Sequence, residues 1–187
     1  MRSKAIIILA GALALAACGQ KNGAANSDLN VASDNGAASN SSAEASPLTS
    51  QGFANAAAAS DRFEIESSKL AAGSAQSASV KSFAAKMITA HTASTAKLKA
   101  AAAGLSPTIT PDDTLSSDQQ QKLDNLKGLH GVAFDTAYAS AQVNAHQAAL
   151  DALNGYSASG DNPTLKDLAK GMVPTVTAHL NMAKSLK

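Results

Sequence analysis

Residues 162–187 read NPTLKDLAKGMVPTVTAHLNMAKSLK, and this stretch decides the fold class. Its apolar positions Leu165, Leu168, Met172, Val176, Leu180 and Ala183 recur every three or four residues, the repeat of one face of an α-helix. Asn162 followed by Pro163 is a helix start. The asparagine side chain accepts from a freed backbone amide, and proline at the first position gives up an N–H that has no helical partner there. Pro174 lies inside the helix, where its ring deprives the Lys170 carbonyl of a donor and predicts a kink.

Working outward, the same spacing returns upstream. A segment over about 52–75 carries Phe53, Ala56, Ala57, Ser60, Phe63, Ser67, Leu70 and Ala71 on one stripe. A second, over about 78–103, repeats at Val80, Phe83, Met87, Thr95, Leu98 and Ala102. Gly104, Pro107 and Pro111 then mark a longer connection. A third segment, over about 116–154, carries Leu123, Leu126, Ala133, Phe134, Tyr138, Ala141, Ala145, Ala149 and Leu153, with Gly128 and Gly131 predicting a bend or break near 128–131. Nothing in this region alternates with period two for long enough to argue for a sheet. The expected fold is all-α: four helices, each with one apolar face, closing around a shared core over residues 51–187. With 43 alanines, four phenylalanines, two tyrosines and no tryptophan in 187 residues, that core is built from close helix contacts more than from large side chains.

Several polar residues fall on the inward stripes. His91 follows Met87 by one turn and shares its face, His179 follows Val176 by three positions, and Glu64 sits at the edge of the first stripe beside Phe63. On the third segment Asp135, Tyr138, Gln142 and His146 lie in one row, while His130 flanks it.

These residues also carry a resemblance. Glu64 with Lys69-Leu70-Ala71, Met87-Ile88 with His91-Thr92, Gly131-Val132-Ala133-Phe134-Asp135 with Tyr138 and His146, and Pro174 with His179-Leu180 resemble the bacterial domain-of-unknown-function family 4142, exported or outer-membrane proteins. The resemblance covers residues 53–187 and implies a ferritin-like four-helix bundle. One departure stands out: the family usually has an acidic residue just before the second-helix histidine, where this chain has Ala90.

Two readings of the inward polar set follow. One is a metal site, with Glu64, His91, Asp135, His146 and His179 as candidate ligands for an iron, zinc, copper or manganese ion and a redox or stress-related role. Against it, the Glu-x-x-His pairs of di-iron bundles are absent: the positions three before His91 and His179 hold Ile88 and Val176. The other is a buried hydrogen-bond network, in which the same groups and Tyr138 fix helix register in a non-enzymatic binding or cell-envelope protein. No serine lies in a nucleophile elbow, and there is no phosphate-binding glycine loop and no zincin motif, so an enzyme is not expected.

The N-terminus supplies the location. Arg2 and Lys4 precede an apolar run over residues 5–14, too short to span a bilayer, the pattern of a secretory signal peptide over residues 1–17. Leu15-Ala16-Ala17-Cys18 resembles the bacterial lipobox, which implies cleavage before Cys18 and acylation of its thiol and amine; two or more acyl chains anchor stably. Gly19 in place of an aspartate implies, by the same resemblance, transfer to the outer membrane, with the domain in the periplasm, where a tethered helical head could act as an interaction module for envelope proteins. Cys18 is the only cysteine, so no intramolecular disulfide forms. Residues 18–50 are rich in Asn, Ser, Ala and Gly and read as a disordered linker, reaching roughly 30 Å. Without Arg2 and Lys4 the chain carries 13 basic and 14 acidic residues, a balance that argues against nucleic acid and anionic lipid as partners.

Overall fold

The computed structural model describes residues 46–186; the expected signal peptide, Cys18 and the expected linker up to residue 45 lie outside the described residues. Five helices follow one another: α1 (Ser50–Ser74), α2 (Ala78–Ala103), α3 (Ser117–Lys127), α4 (Gly131–Ser159) and α5 (Pro163–Lys184). Among the described residues there is no strand, only a single bridge between Ala75 and Gly131, and no helix is long and apolar enough to cross a membrane.

Local chemistry sets most of the helix ends. Thr49 accepts from the Gly52 amide at the start of α1 and Asn162 accepts from Leu165 at the start of α5, with Pro163 behind it as expected. Ser116 and Gln119 form a reciprocal capping box on α3. The predicted third segment is two helices: α3 stops at Gly128, and the chain restarts at Gly131, whose φ of 62° is the left-handed conformation that glycine adopts without steric cost. α5 continues through Pro174, which lies on its exposed side.

The four long helices make the bundle. α1 packs on α2, α2 on α5, α5 on α4 and α4 on α1, while the short α3 lies against α1 and α4. Phe53 of α1 stacks on Tyr156 near the end of α4, with ring centroids 4.1 Å apart, and Ala75 just after α1 meets Gly131 at the start of α4, so α1 and α4 run antiparallel. Short connections at 75–77 and 160–162 make the α1/α2 and α4/α5 hairpins, and the long crossover at 104–130 joins them. This is the ferritin-like arrangement of one long crossover between two hairpins. Phe83, Met87, Phe134 and Tyr138 fill one end of the interior; Phe53, Leu153, Tyr156 and Leu165 fill the other. The polar residues lie between these two apolar clusters.

The first and third stripes need correction. Ala56 and Ala133 are exposed and Ala57 and Ser60 only half-buried, whereas Ala54, Ala58 and Asp61 are buried. The inward face of α1 is therefore turned toward Ala58, Asp61, Glu64 and Ser68.

Candidate metal centre

Each long helix contributes to the polar layer. α2 supplies His91, α4 supplies Gln142 and His146, α5 supplies His179, and α1 supplies Asp61 and Glu64. The three imidazole rings pack against one another with centroids 5.5 to 5.7 Å apart, and each brings one ring nitrogen within 4.8 Å of the other two. Three atoms each 4.8 Å from the other two would leave a central point about 2.8 Å from each, so sub-ångström movements reach the 2.0–2.1 Å of a metal–imidazole bond. The cluster can hold a metal ion.

The outer sides of two rings are already engaged. The His91 Nδ1–H donates to Asp61 Oδ1 at 2.7 Å, and the His146 Nδ1–H donates to the Gln142 carbonyl at 2.8 Å. Metal-binding histidines are oriented in this way, with the second nitrogen held by a carboxylate or a backbone carbonyl. Thr95, one turn beyond His91, has its hydroxyl 3.1 Å from Asp61 Oδ2 and 2.9 Å from the His91 carbonyl. Other atoms of the layer have no such partner: His91 Nε2, His146 Nε2 and His179 Nδ1 are buried and unpaired, as are both oxygens of Glu64 and Gln142 Oε1. A closed hydrogen-bond network would satisfy them, since each buried polar atom left unpaired costs about 1–3 kcal/mol.

Burial also tunes protonation. His146 is pushed down to about 4 by burial, with the neighbouring imidazoles acting in the same direction, and His179 reaches about 4 through burial and the charge on His91. Both are neutral at neutral pH, the form that ligates. For His91 burial pulls down, but the hydrogen bond to Asp61 and the charges of Glu64 and Asp61 together outweigh it, and its pKa rises. Glu64, fully enclosed, is pushed up to about 7 by burial, against the pull of the His91 charge. Its Oε1 lies 3.8 Å from His146 Nδ1.

Of the sequence candidates, His91, His146 and His179 come together with Glu64 beside them; two do not join them. Asp135 sits in the first turn of the α4 row, where its carboxylate accepts from the Gln76 and Ser77 amides at 3.2 and 2.8 Å and pins the α1/α2 connection. Tyr138 is buried one turn further on and shares a 2.7 Å hydrogen bond with Ser68. Cys18 lies outside the described residues. Sequence reasoning missed Asp61, the carboxylate that serves His91 where Ala90 has none to offer. Its signal was present: Asp61 precedes Glu64 by three positions and Ser68 by seven, one helical face.

Two solved structures share this fold: CopM in the Cu(II)-bound form (16% sequence identity, TM-score 0.62, covering 73% of this chain and 94% of that one) and CopM in the Ag-bound form, obtained by co-crystallization (17%, 0.59, 73% and 93%). Among curated proteins none matches. The family model described as domain of unknown function (DUF4142) matches residues 35–186, and the chain belongs to that family.

Proposed function

We propose that this domain binds one copper ion in its interior on His91, His146 and His179, and acts as a metal carrier or store, not as an enzyme. The observation that carries the reading is the set of three buried, unpaired ring nitrogens on three converging imidazoles, two of them held from behind by Asp61 and the Gln142 carbonyl. An imidazole set without thiolates and with a single unpaired carboxylate nearby suits copper or zinc better than manganese or iron, and divalent copper binds such donors more tightly than zinc does. CopM, whose fold is similar, has been solved with Cu(II) and with Ag bound, which supports the choice of copper.

The residues divide the work. Burial keeps His146 and His179 neutral, so neither yields a proton when an ion binds. Asp61 keeps the His91 Nδ1 proton on the outer side and leaves Nε2 as the atom that would ligate; protonation of that nitrogen would compete with an ion, so affinity falls with acid. Glu64 is the nearest group able to offset the added charge. Bound copper would supply a redox-active cation, shielded from solvent by the bundle.

The test is copper titration of the chain from residue 18 onward carrying Cys18→Ser, which removes the only thiol. One equivalent is expected, and Asp61→Ala lowers affinity by about 10- to 100-fold without changing stoichiometry. No uptake beyond adventitious traces contradicts the reading.

In our reading the domain works in the periplasm, tethered to the outer membrane by acylated Cys18; the Leu15-Ala16-Ala17-Cys18 element and the apolar run before it support this. Labelled palmitate should enter the wild-type protein in a lipoprotein-processing host and be absent from Cys18→Ser. Equal labelling of both removes the anchor.

A further inference from the structure

An ion held inside a bundle has to get in and out, and the four long helices do not close equally around the three imidazoles. His146 of α4 is 1% exposed, whereas His91 of α2 and His179 of α5 reach 7% and 9%. The two rings nearest solvent thus belong to adjacent helices. The backbones of α2 and α5 approach closely at fewer points than those of any other neighbouring pair of long helices. The lining of this seam follows from helix geometry. Ser94 and Thr95, three and four positions after His91, lie to either side of it. The Thr95 hydroxyl reaches Asp61 of α1, so Ser94 is on the α5 flank. Ala101, seven positions further on the same flank, packs against the cluster that contains Leu165 and Ala169 of α5. The Ser94 hydroxyl oxygen is buried there without a hydrogen-bond partner. On α5, Lys166 Nζ donates to the Ala158 carbonyl and marks the α4 flank. Leu168 and His179, eleven positions or three turns apart, share the opposite flank, and Leu168 packs against the cluster that holds Leu98 of α2. Between them stand Gly171 and Pro174. Glycine and proline are the poorest helix formers, and Pro174 leaves the Lys170 carbonyl without its helical donor, so α5 is least stiff on this stretch.

We propose that the copper ion enters and leaves through the α2/α5 seam, meeting His179 first, and that α5 between Leu168 and His179 moves to admit it. The route rests on the three-imidazole site proposed above. Four observations converge on it: the two ligands with residual exposure, the loosest of the helix pairs, the weakened stretch of α5 and the unpaired Ser94 oxygen. A cation crossing between helices sheds part of its water, and that oxygen offers it a lone pair beside apolar neighbours. The other side of the bundle is closed. There α3 lies across α1 and α4, Phe63, Leu123 and Ala141 pack together beneath it, and α4 contributes His146, the most enclosed of the three rings.

Stopped-flow transfer of Cu(II) tests the route. Uptake is followed from Cu(II) mixed with the metal-free Cys18→Ser chain from residue 18 onward, and release from the loaded chain to an excess of chromophoric chelator. Two truncations loosen opposite sides of the bundle. Leu168→Ala, three turns from His179, should speed uptake and release alike by about tenfold, because the closed seam loses part of a buried leucine and opens more often. Equilibrium affinity then stays at the wild-type level. Leu123→Ala, under α3, should leave both rates unchanged although Leu123 is the more deeply buried of the two and its loss costs the fold more. Circular dichroism shows that the variants are folded. If Leu168→Ala unfolds, Ser94→Ala takes its place; it removes the hydroxyl, keeps the packing and should slow both rates. Faster exchange in Leu123→Ala alone overturns the proposal and assigns entry to the α3 side. Faster exchange in both variants overturns it in favour of opening of the whole bundle. Wild-type rates in Leu168→Ala, or in Ser94→Ala where that variant is used, overturn it as well. In each of these cases one bound equivalent at equilibrium leaves the imidazole site standing, whereas no uptake at equilibrium removes the site and the route together.

Discussion

His146→Leu should abolish stoichiometric copper binding while leaving the metal-free bundle at least as stable as the wild type. The imidazole is 1% exposed and its Nε2 has no partner, so in the metal-free protein it carries a desolvation cost that leucine does not. Its one hydrogen bond runs back to the Gln142 carbonyl four residues earlier, an acceptor that already serves the helix. Leucine has similar volume, and replacing a buried polar group by a well-packed apolar one is often neutral or stabilising. Binding, by contrast, loses one of three imidazoles, and affinity should fall by at least about two orders of magnitude. Copper titration and thermal melts of the same preparations check both halves. A hydrogen-bond network without a metal makes the opposite forecast, with the variant losing stability and copper playing no part.

Glu64→Gln should stabilise the metal-free protein above pH 7, by up to about 3 kcal/mol, and the gain should vanish below about pH 4.5. Burial raises the carboxyl from 4.5 to about 7, so between those values the folded chain holds a proton that the unfolded chain has lost. Folded stability therefore declines as pH rises through this window, and the full penalty of an ionised, unpaired carboxylate is present above 7. Glutamine has the same shape and never ionises, and its amide can donate to the unpaired Gln142 Oε1. His146 and His179 act at the other end. Their folded pKa values near 4 lie below the ordinary 6.5, so their contribution is complete above 6.5 and lost as pH falls toward 4. Denaturant melts of wild type and Glu64→Gln from pH 4 to 9 separate the two. An identical pH profile for both proteins would show that Glu64 does not titrate in this range. With copper bound the sign reverses, because the variant lacks the negative charge that balances the ion.

The parts of this molecule that were legible in the sequence are those where large and polar residues contrast along a helix. Met87, His91 and Leu98 on α2, and Val176, His179 and Leu180 on α5, mark their inward faces without ambiguity, and all are buried. On α1 the run Ala56-Ala57-Ala58-Ala59 presents the same small side chain in every direction, so spacing alone does not separate a stripe through Ser60 from one through Asp61. Asp135 failed for a different reason. Spacing places it in the row of Tyr138 and His146, but spacing says nothing of which loop meets the end of that row, and there the α1/α2 connection presents two amides. The break into α3 and α4 was visible in Gly128 and Gly131.

If imidazoles from three helices hold one copper ion inside the bundle, the loaded protein carries their signature at the metal. Copper-edge X-ray absorption on the loaded Cys18→Ser chain from residue 18 onward tests it most directly, because imidazole rings give a characteristic outer-shell scattering. The expected spectrum is fitted by three imidazole nitrogens, and by one fewer in His179→Ala. A spectrum without imidazole scattering, or one that His91→Ala, His146→Ala and His179→Ala leave untouched, would contradict it.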